Sequence, residues 1–587
     1  MAKTALMSGN EAIARGAYEA GARLVVGYPG TPSTEIVEAA RAYEEMYSEW
    51  SVNEKVAMEV AIGAALAGSW AMVTMKHVGL NVAADPLMTV SYMHITGALV
   101  IVSADDPGMW SSQNEQDNRT YARFARIPMF EPSDSQEAKD MVCEAFRLSN
   151  RFNVPVLVRV TTKLSHTRCP VKPGVRQHVH QGPEKGKKVS LDPALCVMIP
   201  ANARKRHPVV EQRLVTLAEY AEKSEWNRIE EGRVDAPAFI SSGIPYQYVK
   251  EAFPESSVLK LGLSYPLPLG VIREFAKKAK KLYVVEELDP LVETELRAAG
   301  VSVEGKDLLP RVGEHSVSLL KHAISGAKGE PPVPAKGVPP RPPLLCAGCP
   351  HRGVFHALRG KKSLVFGDIG CYSLGVMKPL EALHSCTCMG AGIGHAHGLE
   401  KALGSELASN SVAVIGDSTF FHSGITALLN SVYNGGKSKV IILDNKTTAM
   451  TGHQANPGTG QDLKGNAAPS ANLEQLVRSL GVKHVFTVDP YDLKRTKEAI
   501  DKALELDECA VIISERECAL LKSAERRPAA VGVPELCREC GLCHKLGCPA
   551  LFKIDGKAAV DNTLCNGCEM CVQVCPFGAL KGGLSSD

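Results

Sequence analysis

The stretch SVAVIGDSTFFHSGITALLNSVYNGGKSKVIILDNKTTAMTG, residues 411–452, decides the fold. It holds two runs of Val, Ile and Leu separated by a helical segment, and near-continuous apolar strands that alternate with helices predict a parallel sheet covered on both faces. Asp417 follows the first run, and Asp444 and Asn445 end the second. Because ligands bind at the carboxyl ends of strands in open α/β sheets, we expect these side chains at a binding edge.

The residues expected at that edge suit a magnesium ion and a diphosphate. Asp417, the Asn445 amide and a nearby backbone carbonyl, in the segment that reaches Thr447, offer the hard oxygens that magnesium prefers. The helix after Gly416, Asp417 and Ser418 would aim its first amides at a diphosphate. An ordinary strand–loop–helix of a Rossmann-like domain fits this stretch, taken alone, equally well.

The same strand pattern recurs on both sides of a Pro-rich segment. The runs ARLVVGYPG, ALVIVSADD and VPVLVRVTT, at 22–30, 98–106 and 154–162, each predict a buried strand that ends in a polar loop. Residues 329–344 hold seven prolines, a composition typical of an extended, semi-rigid spacer. The sequence therefore predicts α/β domains before and after this linker.

Composition and charge exclude several classes of protein. The 587 residues allow roughly three to five domains, and 66 Lys and Arg balance 64 Asp and Glu, so no net field favours nucleic acid. The N-terminus lacks the apolar segment of a signal peptide, and the most apolar run, residues 61–75, is too short to span a bilayer. We therefore expect a cytoplasmic protein that binds neither membranes nor nucleic acid.

The C-terminal tail carries eight of the 18 cysteines, in LCRECGLCHKLGCPAL (536–551) and LCNGCEMCVQVCPFGAL (564–580). In a reducing compartment such density indicates metal rather than disulfides, and thiolates select zinc, copper(I) or iron–sulfur clusters. The spacing C-x2-C-x2-C followed by C-P favours two 4Fe–4S clusters with crossed ligation over zinc. The predicted ligand sets are Cys537, Cys540, Cys543 and Cys575 for one cluster, and Cys565, Cys568, Cys571 and Cys548 for the other. Four residues, not three, separate Cys543 from Cys548, and the tail otherwise resembles a bacterial two-cluster ferredoxin over about fifty residues.

Several segments together resemble one family. They are GNEAIARGAYEAGARLVVGYPGTPSTEI, SVNEKVAMEVAIGAALAG, CAGCPHRG, GDIGCYSLG and GDSTFFHSGITALLN. The chain resembles, essentially end to end, the large subunit of indolepyruvate:ferredoxin oxidoreductases, which are thiamine diphosphate-dependent 2-oxoacid:ferredoxin oxidoreductases. The family's diphosphate motif is GDG followed later by Asn, and here Ser418 replaces the second glycine.

The resemblance implies a multidomain α/β fold whose thiamine diphosphate-binding domains are doubly wound parallel sheets. The expected order is a pyrimidine-binding domain at 1–185, a transketolase C-terminal-like domain at 186–328, the Pro-rich linker at 329–344, a diphosphate- and magnesium-binding domain at 345–526, and a ferredoxin-like α+β domain at 527–587.

The resemblance also implies roles for residues in the first domain. Glu54 matches the glutamate beside the aminopyrimidine ring, where a carboxylate helps the cofactor to lose its thiazolium proton; a solvated first-turn Glu is the alternative. Thr31 is expected to cap a helix that begins at Pro32, and to border the cofactor and substrate. Arg119 is the expected partner of the substrate carboxylate, with Arg123 behind it, although either fits a surface arginine. His77 fits a hydrogen bond to a reaction intermediate or a purely structural role.

In related 2-oxoacid:ferredoxin oxidoreductases a further, proximal 4Fe–4S cluster lies near the cofactor. The positions that match its ligands are Cys346, Cys349, Cys371 and Cys518. Cys386 and Cys388 are rivals for the fourth position, and buried thiols without a cluster are the alternative.

The function implied by the resemblance is the oxidative decarboxylation of arylpyruvates in the catabolism of aromatic amino acids and peptides. Coenzyme A takes the acyl group, and electrons pass singly through the clusters to ferredoxin. The family pairs this chain with a smaller β subunit, as a heterotetramer of two large and two small chains. The same chemistry on pyruvate or phenylglyoxylate, and a non-catalytic electron-transfer adapter, are the alternatives.

Overall fold

The computed structural model describes residues 4–177, 189–326, 337–339, 342–361, 363–404 and 411–583. The chain divides into two compact units, Met1–Gly337 and Val338–Asp587. This division falls inside the predicted linker, 329–344. Residues 329–336 and 340–341 of the linker lie outside the described residues. The predicted domain boundary between residues 185 and 186 also lies outside them. None of the helices in the described ranges is both long and apolar enough to cross a membrane.

The first unit is built on a seven-stranded sheet. From edge to edge its strands are Leu263–Tyr265, Met129–Phe130, Val156–Thr161, Ala98–Asp105, Trp70–Lys76, Leu24–Gly27 and Tyr47–Trp50. Only the Leu263–Tyr265 edge strand runs antiparallel to its neighbour. Every residue of the central strand Ala98–Asp105 is buried, as a parallel sheet covered on both faces requires. The helices are Gly9–Ala20, Thr34–Ala40, Glu54–Leu66, His77–Val82, Ala84–Val90, Arg119–Ala125, Ser135–Phe152 and Thr162–His166, and a separate strand pair joins Ala5–Ser8 to Arg168–Val171.

The rest of the first unit holds a four-stranded sheet, ordered Leu282–Val285, Ala238–Ser242, Ser257–Leu261 and Asn227–Glu230, of which only the last strand is antiparallel. Its helices are Pro193–Cys196, Pro200–Ala221, Gly243–Ala252, Leu269–Lys278, Leu291–Ala298 and Val317–Ser325. This region also contributes the edge strand Leu263–Tyr265 to the seven-stranded sheet. Residues 186–328, expected as a domain of their own, are therefore joined to the preceding residues by strand pairing.

The second unit contains a six-stranded, fully parallel sheet. Its order is Ser385–Cys386, Leu364–Gly367, Ser411–Gly416, Lys439–Asp444, Ala510–Glu515 and His484–Val488. Apolar clusters pack on both faces of the sheet. The helical segments are His351–Leu358, Cys371–Val376, Ala391–Leu403, Asp417–Thr419, Phe420–Gly424, Ile425–Tyr433, Leu473–Ser479 and Leu493–Glu505. All five strands predicted from the sequence are present, and the predicted α/β class is confirmed.

The tail adds a small α+β element to the second unit. Two short antiparallel pairs join Val531–Gly532 to Leu580–Lys581 and Leu551–Ile554 to Lys557–Val560. The helical turns are Pro534–Leu536, Cys543–Leu546 and Met570–Val574. The cysteines themselves form much of the interior, packed with Leu546, Met570 and Leu580. So small a core has little apolar area of its own, so we expect the groups bound by its cysteines to contribute to its folding.

Candidate active site

The predicted magnesium site lies where two neighbouring strands end. Ser411–Gly416 and Lys439–Asp444 are parallel and in register, so Asp417 and Asn445 emerge at the same edge, and both are buried. A helical segment runs from Asp417 through Tyr433, with one π turn at Phe420–Gly424. A side chain at Gly416 would lie 2.7 Å from the ring of Tyr372, so this position requires glycine.

Three groups converge at this edge as a divalent cation would require. One terminal amide atom of Asn445 lies 3.2 Å from Asp417 Oδ1 and 2.7 Å from the carbonyl oxygen of Thr447. With the amide nitrogen there, both contacts are hydrogen bonds; with the oxygen there, three oxygens meet, and they repel one another unless a cation lies between them. An Asp, an Asn and a backbone carbonyl are ligands that magnesium accepts. The residues present therefore fit the ion.

The charges around Asp417 support the same assignment. Burial, with repulsion from Asp444, raises the pKa of Asp417 to about 7. Asp444 is paired with Lys446, whereas the hydrogen bonds to Asp417 come from neutral donors, the Ser418 amide at 2.8 Å and the Asn456 side-chain amide at 3.2 Å. Ser418, which replaces the second glycine of the family motif, accepts a hydrogen bond from Thr448 at 2.8 Å and so ties the two strand ends together.

In the first unit, Glu54 lies at the junction that the sequence predicted. Strand Tyr47–Trp50 ends just before it, and helix Glu54–Leu66 begins with it, capped by the Asn53 side chain. Glu54 is buried against Gly79, where an added Cβ would approach its Oε1 to 2.6 Å. The carboxyl therefore occupies the space that the missing side chain leaves. This burial excludes the alternative of a solvated first-turn glutamate.

The turn before the helix Thr34–Ala40 differs from the prediction. The helix begins at Thr34, not Pro32, and Thr31 does not cap it, because Thr31–Pro32 belongs to a preceding turn with a cis peptide bond. The Thr31 carbonyl oxygen accepts a hydrogen bond from Ser111 Oγ at 3.4 Å. Thr31 thus lies beside the loop that follows strand Ala98–Asp105 and remains a candidate for cofactor and substrate contact.

Arg119 is not a substrate-binding arginine. Its side chain is 4% exposed and bonded to the carboxylates of Asp117 and Glu286 and to the carbonyl oxygens of Glu287 and Asp289. The guanidinium donors of Arg119 are therefore used in hydrogen bonds within the protein rather than being available to a substrate carboxylate. The prediction was wrong because Glu286, the second acid, is 167 residues away from Arg119 in the sequence, and burial there is not visible from the local pattern. Arg123 is exposed and pairs with Glu295 at 3.4 Å.

His77 begins the helix His77–Val82 and is fully enclosed. Burial, and the neighbouring Lys76 ammonium, lower the pKa of His77 to about 4, so the ring is neutral at pH 7. Within the part of the chain that the structure describes, neither ring nitrogen makes a hydrogen bond of good geometry. A bound group could supply that partner only if the side chains that cover the ring moved.

The tail contains two cavities that correspond to the two predicted ligand sets. The first is lined by Cys537, Cys540, Cys543 and Cys575, and the second by Cys548, Cys565, Cys568 and Cys571. Thiolates spaced around a cavity fit the predicted 4Fe–4S clusters, each of which takes four cysteine ligands.

A third group of thiols lies next to the predicted magnesium site. Besides burial, which is the main cause, Cys346 raises the pKa of Cys349, Cys371 and Cys518 electrostatically, so these four lie together. The Cys518 amide donates to the Asn445 carbonyl oxygen at 3.0 Å.

The rival thiols belong elsewhere. Cys386 and Cys388 are exposed; partial burial and then the charge of Asp368 raise the pKa of both, and Cys388 further raises that of Cys386. Of the candidates for the fourth position, only Cys518 is brought to the other three.

Known proteins resemble this chain over nearly its full length. Three family models match: the thiamine diphosphate-binding domain of pyruvate flavodoxin/ferredoxin oxidoreductases over residues 15–226, the C-terminal TPP-binding domain of thiamine pyrophosphate enzymes over 368–514, and a 4Fe–4S binding domain over 558–581. The indolepyruvate oxidoreductase subunits IorA of Thermococcus kodakarensis and Archaeoglobus fulgidus are each 42% identical over 98% of this chain and over 96% and 97% of their own lengths. The chain belongs to the indolepyruvate oxidoreductase subunit IorA family. It is therefore part of a 2-oxoacid:ferredoxin oxidoreductase that uses thiamine diphosphate and 4Fe–4S clusters.

The matched ranges of this IorA-family chain contain the sites described above. The first range includes Glu54, the second includes Asp417 and Asn445, and the third includes four tail cysteines. A more distant relative is the ketoisovalerate oxidoreductase subunit VorB of Methanothermobacter thermautotrophicus, which is 28% identical over 29% of this chain and 51% of its own length.

Two residues of the site escaped the sequence analysis. Asp368 follows strand Leu364–Gly367, is buried, and accepts hydrogen bonds from Tyr372 and from the Gly390 amide at the start of helix Ala391–Leu403. Its signal was present, because GD after an apolar run repeats the pattern at Gly416 and Asp417. Lys76, at the end of strand Trp70–Lys76, carried no such signal.

Proposed function

We propose that this chain, with a smaller partner subunit, oxidatively decarboxylates arylpyruvates. The acid, coenzyme A and two oxidised ferredoxins yield the aryl-acetyl-CoA, carbon dioxide, two reduced ferredoxins and a proton. The observation that carries the substrate class is the likeness over nearly the whole chain to relatives named indolepyruvate oxidoreductase. Those relatives are named as one subunit, which supports a second chain; two large and two small chains form the expected assembly.

Asp417, Asn445 and the Thr447 carbonyl are the proposed magnesium ligands, and the amides at the start of the helical segment at Asp417 are the proposed diphosphate donors. Glu54 is the proposed partner of the aminopyrimidine. When bound, thiamine diphosphate supplies a carbanion that adds to the keto carbon of the acid and lets carbon dioxide leave. The protein's part is to hold Glu54 in a buried place, where its carboxylate can hydrogen-bond a ring nitrogen rather than water.

The two tail ligand sets and the Cys346 group are the proposed sites of three 4Fe–4S clusters, which accept one electron at a time. Contacts inside the second unit support an order for transfer. Cys518 adjoins Asn445, and Gly348, between Cys346 and Cys349, lines the cavity of the Cys548 set.

The later steps of this path are supported in the same way. Cys571 belongs to the Cys548 set, and its pKa is raised mainly by burial and then by the other thiols of that set. Cys543, from the other set, also raises the pKa of Cys571, so the two sets lie close together. Cys540 of the last set is exposed. We therefore propose that electrons leave to ferredoxin from the cluster held by Cys537, Cys540, Cys543 and Cys575.

The test uses the chain purified anaerobically with its partner subunit and supplied with thiamine diphosphate and magnesium. Indolepyruvate plus coenzyme A should bleach the visible iron–sulfur absorption, and added ferredoxin should be reduced. Indolepyruvate alone, and coenzyme A alone, are the controls. A complex that contains iron but neither binds thiamine diphosphate nor bleaches with any 2-oxoacid would overturn the proposal and leave the electron-transfer adapter.

The closer alternative is the same reaction on another 2-oxoacid. A panel of indolepyruvate, phenylpyruvate, phenylglyoxylate and pyruvate, compared by kcat/KM, separates these possibilities. Preference for either arylpyruvate by at least about tenfold over pyruvate supports the proposal, since one aromatic ring in a fitted pocket contributes more than this. Preference for pyruvate would exclude it.

A further inference from the structure

Lys76 is a buried cation without a carboxylate partner. It ends strand Trp70–Lys76 in the seven-stranded sheet, and it is 8% exposed. Its Nζ donates to the Ser111 carbonyl oxygen at 2.5 Å. Across the described ranges, no Asp or Glu oxygen lies within ion-pairing distance of this ammonium. A buried charge is expensive unless it is paired, so the site favours an anion that comes from outside the protein.

The nearest acid, Asp106, is occupied by other donors. Its Oδ2 accepts from the Ser111 amide at 2.8 Å and from Ser112 Oγ at 2.6 Å, and its Oδ1 accepts from Thr162 Oγ1 at 2.7 Å. It attracts Lys76 only at longer range, and burial still lowers the pKa of the ammonium to about 8. Lys76 Nζ also donates to Ser111 Oγ at 3.5 Å, so one of its three N–H donors remains for a ligand.

The position of Lys76 links it to both proposed thiamine contacts of the first unit. An added Cβ on Gly30, which precedes Thr31, would lie 3.1 Å from Lys76 Cβ. Ser111, which accepts the Lys76 bond, also donates to the Thr31 carbonyl oxygen. Three residues after Lys76, Gly79 packs against the carboxyl of Glu54. Lys76 thus lies between the Thr31 turn and Glu54, at the carboxyl edge of the sheet where ligands bind.

We infer that the Lys76 ammonium binds the carboxylate of the 2-oxoacid substrate, the role that Arg119 cannot fill. The inference rests on the proposed function. An ammonium here holds the carboxylate beside the Thr31 turn and thereby orients the keto carbon toward the reacting centre. The competing explanation is that Lys76 only anchors the loop of Ser111.

Two probes of equal shape separate binding of charge from loop anchoring. Indole-3-propionate and indole-3-propionamide share the ring and the chain length, and only the first is an anion. Their Kd values are measured by anaerobic calorimetry on the loaded complex, so no turnover is needed. A hydrogen-bonded charge pair predicts that the wild type prefers the anion by roughly 10- to 100-fold.

In Lys76→Met this preference should fall to less than about threefold, with the Kd of the amide nearly unchanged, and Lys76→Arg should recover part of it. Lys278→Met, at an exposed surface lysine, is the matched control and should keep the full preference. If Lys76 only anchors the loop, both probes weaken together and the ratio persists in Lys76→Met; that result overturns the inference. A wild-type complex that turns over no 2-oxoacid and binds neither probe overturns the proposed function instead, and the role of Lys76 with it.

Discussion

Replacing Arg352 tests the proposed electron path most directly. Arg352 is 1% exposed and lines the cavity of the Cys548 set, and its guanidinium donates to the carbonyl oxygens of Leu546, Leu345 and Cys346 at 2.6, 2.7 and 3.0 Å. It also favours the thiolate forms of Cys349 and Cys568, one from each neighbouring cysteine group, against the larger effect of burial. A positive charge so placed stabilises an electron added to the cluster in that cavity.

The magnitude follows from Coulomb's law. For an assumed separation of about 8 Å, a unit charge stabilises one added electron by about 2 kcal/mol at an effective dielectric constant near 20. For a one-electron couple this corresponds to about 85 mV. Arg352→Met should therefore lower the reduction potential of this cluster by about 40–90 mV, the lower figure allowing for water that enters the site.

The assay is a redox titration followed by electron paramagnetic resonance on the intact complex. Arg352→Met also leaves three carbonyl oxygens without their donor, so iron content must be shown to match the wild type before potentials are compared. Arg352→Lys is the matched variant, because it loses the fork geometry but keeps the charge. Its shift should be less than half that of Arg352→Met. Unchanged potentials in both variants, at full iron content, would refute the placement of Arg352 beside a cluster.

Three further predictions concern other sites. Glu54→Gln should lower kcat by about 10²–10⁴-fold while bound thiamine and iron stay constant, and turnover near the wild-type rate would contradict its role as the partner of the aminopyrimidine. Cys349→Ser should remove about four iron atoms per chain, whereas Cys386→Ser should remove none; equal iron in both variants would exclude the third cluster. Arg119→Leu strands two buried acids and should cost about 3–5 kcal/mol of unfolding free energy, seen as a lower Tm, while the exposed Arg123→Leu should cost about 0.5 kcal/mol or less; equal effects would contradict the buried network.

Features encoded by local pattern were predictable from the sequence. The strand Lys439–Asp444 is recognisable in the sequence from its continuous run of apolar residues. Such a run is expected because both faces of a parallel sheet are covered. Asp417 and Asn445 could be paired because the carboxyl ends of neighbouring parallel strands meet at one edge. The tail cysteines could be divided into two sets because crossed ligation follows from their spacing.

Features that depend on distant residues were not predictable. The local sequence around Arg119 is typical of a surface helix. Its contact with Glu286, 167 residues away in the sequence, is what identifies it as a buried structural residue. The cysteine spacing does not distinguish Cys518 from Cys386. Cys518 reaches Asn445 because it follows strand Ala510–Glu515, which pairs with strand Lys439–Asp444. Lys76 has no local signal, because its burial depends on the loop of Ser111. In each case the deciding contact has a high sequence separation.

The two units divide the proposed reaction between them. Glu54, Thr31 and Lys76, the proposed contacts of the substrate and the pyrimidine, all lie in Met1–Gly337, whereas the proposed magnesium and cluster ligands all lie in Val338–Asp587. Electron transfer between centres held in one compact unit does not depend on how that unit is oriented toward the other. Changes in the first unit should therefore alter which acid is used and how tightly it binds, while cluster potentials stay constant. Changes such as Arg352→Met should alter potentials while leaving the preference for a carboxylate intact. The two sets of variants, measured by both assays, should show no cross-effect beyond experimental error.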